Sequence, residues 1–125
     1  MTNQRGIAAG LVVLVWVVLG CNEADSGPDH SAFVVGMERA TILATFGPPD
    51  HEQTMIKQSE AIWGPIEDFW QQVPNGAKIE IWSYESQARL VEGSDETTRG
   101  STELYFVDDS PTVLGIGFAP DGVVY

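Results

Sequence analysis

The feature that most limits what this chain can fold into is an apolar run, residues 6–19, that begins directly after Arg5 and stops one residue short of Cys21. At roughly 14 residues the run is shorter than the 18 or more expected of a helix that spans a bilayer. A positive charge, a short apolar stretch and a small residue in that order form an export signal that is removed, here residues 1–20. Roughly 100 residues are then left to fold, enough for one domain with a modest core. Cys21 is the chain's single cysteine, so no disulfide can form within the chain and side-chain packing must carry the core. Trp63, Trp70, Trp82, five phenylalanines and three tyrosines supply large apolar areas for it.

The last residues of the run, Val18-Leu19-Gly20-Cys21, resemble the lipobox of bacterial lipoproteins, with an aliphatic residue three places before the cysteine and a small residue just before it. The resemblance implies that the Cys21 thiol becomes a diacylglyceryl thioether and that the signal is cut in front of it. The new amino terminus is then acylated, and two or three acyl chains hold a protein on a membrane where one does so poorly. Asn22 rather than Asp follows the cysteine, which under the sorting rule of such lipoproteins favours the periplasmic face of an outer membrane.

Charge narrows the partners. Residues 1–20 hold one of the 6 basic residues and none of the 18 acidic ones, leaving 5 against 18, a net charge of −13. Phosphate backbones and anionic headgroups are bound by Lys and Arg that displace counterions, so nucleic acid is excluded as a partner. A basic partner is compatible.

Residues 22–31 are polar and acidic, and Gly27-Pro28 interrupts them, so residues 21–32 read as a flexible tether with folding expected from Phe33 onward. Met37, Ala40, Ile42, Leu43, Ala44 and Phe46 form an apolar helical stripe that Gly47-Pro48-Pro49 ends. Residues 51–58 are polar, a strand or an extended loop. Gly64-Pro65 opens a short second helix, with Glu67 and Asp68 at its positive end and Ile66, Phe69, Trp70 and Val73 at helical spacing. From Ala77 the period becomes two, with Ile79 and Ile81 on one face and Glu80, Trp82 and Tyr84 on the other.

Two further strands, residues 102–107 and 112–118, form a hairpin through Asp108-Asp109-Ser110-Pro111, and residues 123–125 can add a last short strand. Gly115 and Gly117 leave one face bare, as though a bulky neighbour such as Trp82 or Tyr84 lay across it. The expected fold is α+β: two helices packed on a three- to four-stranded antiparallel sheet, spanning residues 33–125.

Gly36, the helix that ends in Phe46-Gly47-Pro48-Pro49, the strand Trp82-Ser83-Tyr84 and a closing hairpin with an Asp121-Gly122 turn together resemble the SmpA/OmlA (BamE-like) lipoprotein family. The resemblance covers most of residues 36–124. It implies two helices on a three-stranded sheet, no catalysis and no cofactor, and a role as an accessory subunit of the machinery that inserts β-barrel proteins into the outer membrane. The wider fold also includes inhibitors of proteases or β-lactamases.

Residue chemistry adds little to this. Asp29-His30 and Asp50-His51-Glu52 set carboxylates beside imidazoles, but two distant histidines fall short of a zinc site. Asp95-Glu96 and Asp108-Asp109 lack the alternating ligands of a calcium loop and read as solvated turns. Neither H-E-x-x-H nor G-x-S-x-G occurs. Trp63 and Trp70 either fill core or frame a pocket or partner surface. The expectation is a lipid-anchored, non-catalytic protein-binding domain with an envelope protein as partner. Its contacts would lie in residues 51–73, Trp63 and Trp70 among them, and on an exposed face bearing Trp82 and Tyr84. The alternative is a periplasmic inhibitor or small-ligand-binding lipoprotein.

Overall fold

A computed structural model describes residues 27–89 and 93–122. The expected signal, the expected lipidation site Cys21 and the expected strand at residues 123–125 lie outside the described residues. Between them runs a four-stranded antiparallel meander in the order β1 (His51–Ile56), β2 (Lys78–Ala88), β3 (Thr98–Val107), β4 (Gly115–Pro120). Helix α1 (Arg39–Phe46) precedes β1, and helix α2 (Glu67–Trp70) lies between β1 and β2. The class is α+β, with two short helices.

Side chains in β2 and β3 alternate, and both sides of the sheet are covered. Trp82, Tyr84, Leu104 and Phe106 project to one side, where they pack with Phe33, Ile42 of α1 and Val113. Ile79, Ile81 and Tyr105 project to the other, against Ile66, Trp70 and Val73 around α2. Gly115 and Gly117 belong to this second side. The bulky neighbour expected over them is real, but it is Phe69 over Gly115 and Pro65 with the Tyr105 hydroxyl over Gly117. Trp82 and Tyr84, the neighbours expected there, occupy the opposite side.

Helix α1 starts two residues later than its apolar pattern predicts, because long-range hydrogen bonds claim the backbone ahead of it. The Gly36 and Arg39 amides donate to Val113 and Pro111, and the Met37 carbonyl accepts from Val113. Gly47, at φ 80°, ends the helix by donating to the Leu43 carbonyl, a left-handed cap that suits glycine. Helix α2 keeps the expected inward residues but is a single turn. Past Trp70 the bonds tighten to Gln72 N–H to Phe69 and Val73 N–H to Trp70, the shorter three-residue pattern.

The expected tether is in part folded. The Pro28 carbonyl accepts from Gln87, Asp29 bridges Gln87 in parallel register, and residues His30–Ala32 form a 3-10 turn. His30 Nδ1 lies 2.9 Å from Thr102 Oγ1, which in turn lies 2.7 Å from Ser86 Oγ. The His30 ring also meets Phe118 edge-on at 5.2 Å. Ordered structure therefore begins before Phe33, held by polar bonds that an apolar pattern does not register.

Candidate functional site

The segment that leaves β1 and returns through α2 forms a concave surface among the described residues. Lys57 is the only Lys or Arg between Arg39 and Lys78, and it is buried at 7% exposure. No carboxylate among the described residues forms an ion pair with it. Its Nζ donates to the Trp70 carbonyl and, at 3.0 Å, to the Val73 carbonyl, and it lies 5.2 Å from the centre of the Trp70 ring. A buried ammonium is stable only when its donors are satisfied. Here they bind carbonyls at the C-terminal end of α2, where the dipole is negative, that of Trp70 sharing its oxygen with the Val73 amide. The Trp70 indole N–H donates to the Glu60 carbonyl at 3.0 Å, which fixes the intervening loop over the same ring.

Two adjoining concavities result. One, of about 260 Å³, is lined by Lys57, Glu60, Ile62, Trp63, Glu67 and Trp70 among others. The second, of about 230 Å³, adds Met55 and Ile56 and shares Glu60, Ile62 and Trp70 with the first. Trp63 stands 71% exposed at their rim, and Ile56 is also exposed. Two large apolar groups in water beside a concave surface have the composition common to docking sites. Glu60 and Glu67 line this surface, and the ammonium of Lys57 is spent on carbonyls, so the local charge is negative.

Of the four aromatic residues expected to meet a partner, two converge here. Trp63 is free to do so, while Trp70 is 7% exposed and serves mainly as core and floor. Trp82 and Tyr84 do not face solvent: they are 5% and 3% exposed, beneath α1 and the N-terminal segment. Trp82 packs on Phe106 at 4.9 Å between ring centres and donates its indole N–H to Glu80 at 2.8 Å. Tyr84 packs against Phe33 and Phe46 and donates its hydroxyl to the Gly47 carbonyl at 2.8 Å. Burial, then the charges of Asp50 and Glu52, push the Tyr84 hydroxyl up to about 12, so it remains a donor at neutral pH. Glu80 shares their side of the strand, which made that side look wet, but Arg39 absorbs its charge. The guanidinium pairs with Glu80 at 3.0 Å, lies 3.9 Å above the Phe106 ring and donates to the Ser110 carbonyl at 2.7 Å.

The two histidines stay in separate settings. His30 is on the N-terminal turn, and His51 opens β1 opposite Ser83. No group of three His, Cys, Asp or Glu that could hold a metal ion occurs among the described residues. Asp108 and Asp109 form the β3–β4 turn at φ 49° and 63° and both engage Lys78, Asp108 through its backbone amide and Asp109 through its ammonium. Glu96 is bonded through its own amide to Ser94 Oγ. Sequence pattern missed Ile56, Lys57 and Glu60 as site residues. The lone basic residue in a 38-residue stretch that otherwise gathers acid and tryptophan was the available signal.

No helix among the described residues is long and apolar enough to cross a membrane. Comparison with known proteins found no family model, no curated protein and no solved structure that matches this chain.

Proposed function

We propose that this protein is an envelope lipoprotein, anchored through Cys21 on the periplasmic face of an outer membrane, whose domain is a non-catalytic accessory module that binds another envelope protein. One observation carries the reading: Trp63 and Ile56 stand in solvent around a concave, acidic surface, on a chain whose residues 18–21 carry a lipobox pattern. Exposed tryptophan beside a preformed hollow is the composition of a binding anchor. An affiliation with the SmpA/OmlA lipoproteins belongs to the same proposal and rests on the glycine-ended helix, the Trp82-Ser83-Tyr84 strand and the closing hairpin. The sheet has one strand more than that resemblance implies, and α2 is only one turn.

The alternative, capture of a small ligand or an enzyme, draws support from the hollow framed by Trp63 and Trp70. Its volume, about 260 Å³, lies under the roughly 300–1,000 Å³ usual for small-molecule sites, which favours a protein segment as occupant.

The test is to isolate the full-length protein from its own membranes, alongside Cys21→Ala and Trp63→Ala. The proposal expects an N-terminal peptide that starts at a lipidated Cys21 and a discrete set of envelope proteins that Trp63→Ala loses. An unlipidated Cys21, or a copurifying set indifferent to Trp63, counts against it.

A further inference from the structure

Among the described residues, strand β1 is the outermost strand of the sheet at its end of the order, and it pairs with β2 alone. The Lys57 amide donates to the Ala77 carbonyl at 2.9 Å, which fixes the phase of the ladder. In an antiparallel pair, inward-bonded and outward-facing residues alternate. His51, Gln53 and Met55 therefore bond inward, opposite Ser83, Ile81 and Ile79, and Glu52, Thr54 and Ile56 turn their N–H and C=O groups away from β2. The strand is exposed at every position except Met55. A strand edge of this kind is a template for another strand, and proteins commonly block one with lysine, proline or a bulge. β1 contains none of the first two. β4, at the other end of the order, closes on Pro120, which has no amide to donate.

We infer that β1 receives an extended segment of another protein as a fifth strand, and that this segment carries a basic residue and an apolar residue four positions apart. The inference rests on the protein-binding reading above and specifies its mode. Glu52 and Ile56 lie four positions apart on the same side of β1, so a paired strand meets a carboxylate at one point and an exposed isoleucine at the other. The hollow at the end of the strand, lined by Met55, Ile56 and Ile62, continues the apolar end. Every uncommitted charge near it is acidic, with Glu52 and Glu60 exposed and Lys57 occupied. A second copy of this chain is a poor occupant, since each brings a net charge of −12 and β1 offers no cation besides His51 to face Glu52.

The experiment uses the full-length protein in detergent and three synthetic ten-residue peptides of alternating threonine and valine. The first carries a lysine four residues from a leucine, the second has glutamate in place of that lysine, and the third is the first with alternate backbone amides N-methylated. Expected is binding of the first peptide, with protection of the Glu52, Thr54 and Ile56 amides from hydrogen exchange, and affinity about tenfold lower or less for the other two. Thr54→Pro removes one outward amide and leaves the β2 ladder intact, so it is expected to lose the peptide at unchanged melting temperature. Should Thr54→Pro fail to fold, the N-methylated peptide reads the same bond from the other partner. Equal binding of all three peptides, or none at millimolar concentration, overturns the proposal, as does a dimer of the free protein that Thr54→Pro dissolves. If the peptides fail while Trp63→Ala still loses copurified proteins, strand addition falls and the protein-binding reading survives.

Discussion

The two sides of the sheet are closed by different means. On the α1 side the cover is continuous: the N-terminal turn, the Phe33 ring, Ile42 and the 111–113 segment lie over Trp82, Tyr84, Leu104 and Phe106, and Arg39 seals the margin with its ion pair to Glu80. On the α2 side a single helical turn sits over Ile79, Ile81 and Tyr105, pinned from below by Lys57 and from beside by the Trp70–Glu60 bond. The first arrangement spends its aromatic residues on stability. The second is thin, and it leaves Trp63 outside. On the proposed reading, the difference separates a side that carries stability from a side that carries binding.

The largest effect is expected on the α1 side. Phe106 is fully buried beneath Arg39, and Phe106→Ala is expected to cost roughly 3–5 kcal/mol in denaturant unfolding, enough to unfold many domains of this size. A loss under about 1 kcal/mol would mean that this side collapses easily and that the contrast is overstated. On the α2 side, Lys57→Met keeps the apolar stem and deletes the ammonium. It takes the ammonium from the Trp70 carbonyl, which keeps the Val73 amide as a donor, and from the Val73 carbonyl, and is expected to cost about 2 kcal/mol, with faster exchange of the Trp70 and Val73 amides as its local signature. Equal exchange in α1 and α2 would show that the pin is not local.

Acid should loosen the α1 side in two steps. Burial holds the His30 imidazole below its ordinary value, opposed by the charge of Asp29. The unfolded chain therefore takes up this proton first. The stability linked to neutral His30 is complete above about pH 6.5 and declines as pH falls from there through the folded value. Arg39 first, then desolvation in opposition and the Trp82 indole in support, leave the Glu80 carboxyl below its ordinary value. Its contribution is present above the unfolded value of 4.5 and is lost as pH falls through the folded one. A melting-temperature profile against pH should lose its upper step in His30→Asn and its lower step in Glu80→Gln. Unaltered profiles would show that neither group is linked to folding. The smallest expected stability effect is Trp63→Ala, within about 0.5 kcal/mol, and a larger loss would make Trp63 a structural residue.

Much of this contrast was legible in sequence, and the failures share one cause. The alternation of Ile79 and Ile81 against Trp82 and Tyr84 and the turn at Asp108-Asp109 are local patterns, and each is present, while the short helix expected to open at Gly64-Pro65 is there but begins at Glu67, after a turn over Pro65 and Ile66. The siting of a contact surface within residues 51–73 is also consistent with the exposed groups found there. What failed depended on distant segments. Glu80 marks its side of β2 as wet only until Arg39, 41 positions earlier, arrives to neutralise it, and so Trp82 and Tyr84 were placed at the surface. The residues before Phe33 read as tether because nothing apolar holds them, yet His30 reaches Thr102. β1 showed no alternation of apolar and polar residues because an edge strand exposed on both sides has no reason to alternate.

The most direct test places a photo-crosslinking phenylalanine at position 63 and, in a second strain, at Leu43 on the exposed back of α1, in the full-length protein of living cells. Both side chains reach solvent, at 71% and 44% exposure, so access alone does not separate them. The account predicts a discrete protein adduct from position 63 and none from position 43. An adduct from position 43 alone, or none from position 63, would contradict the division of the domain into a stabilising side and a binding side.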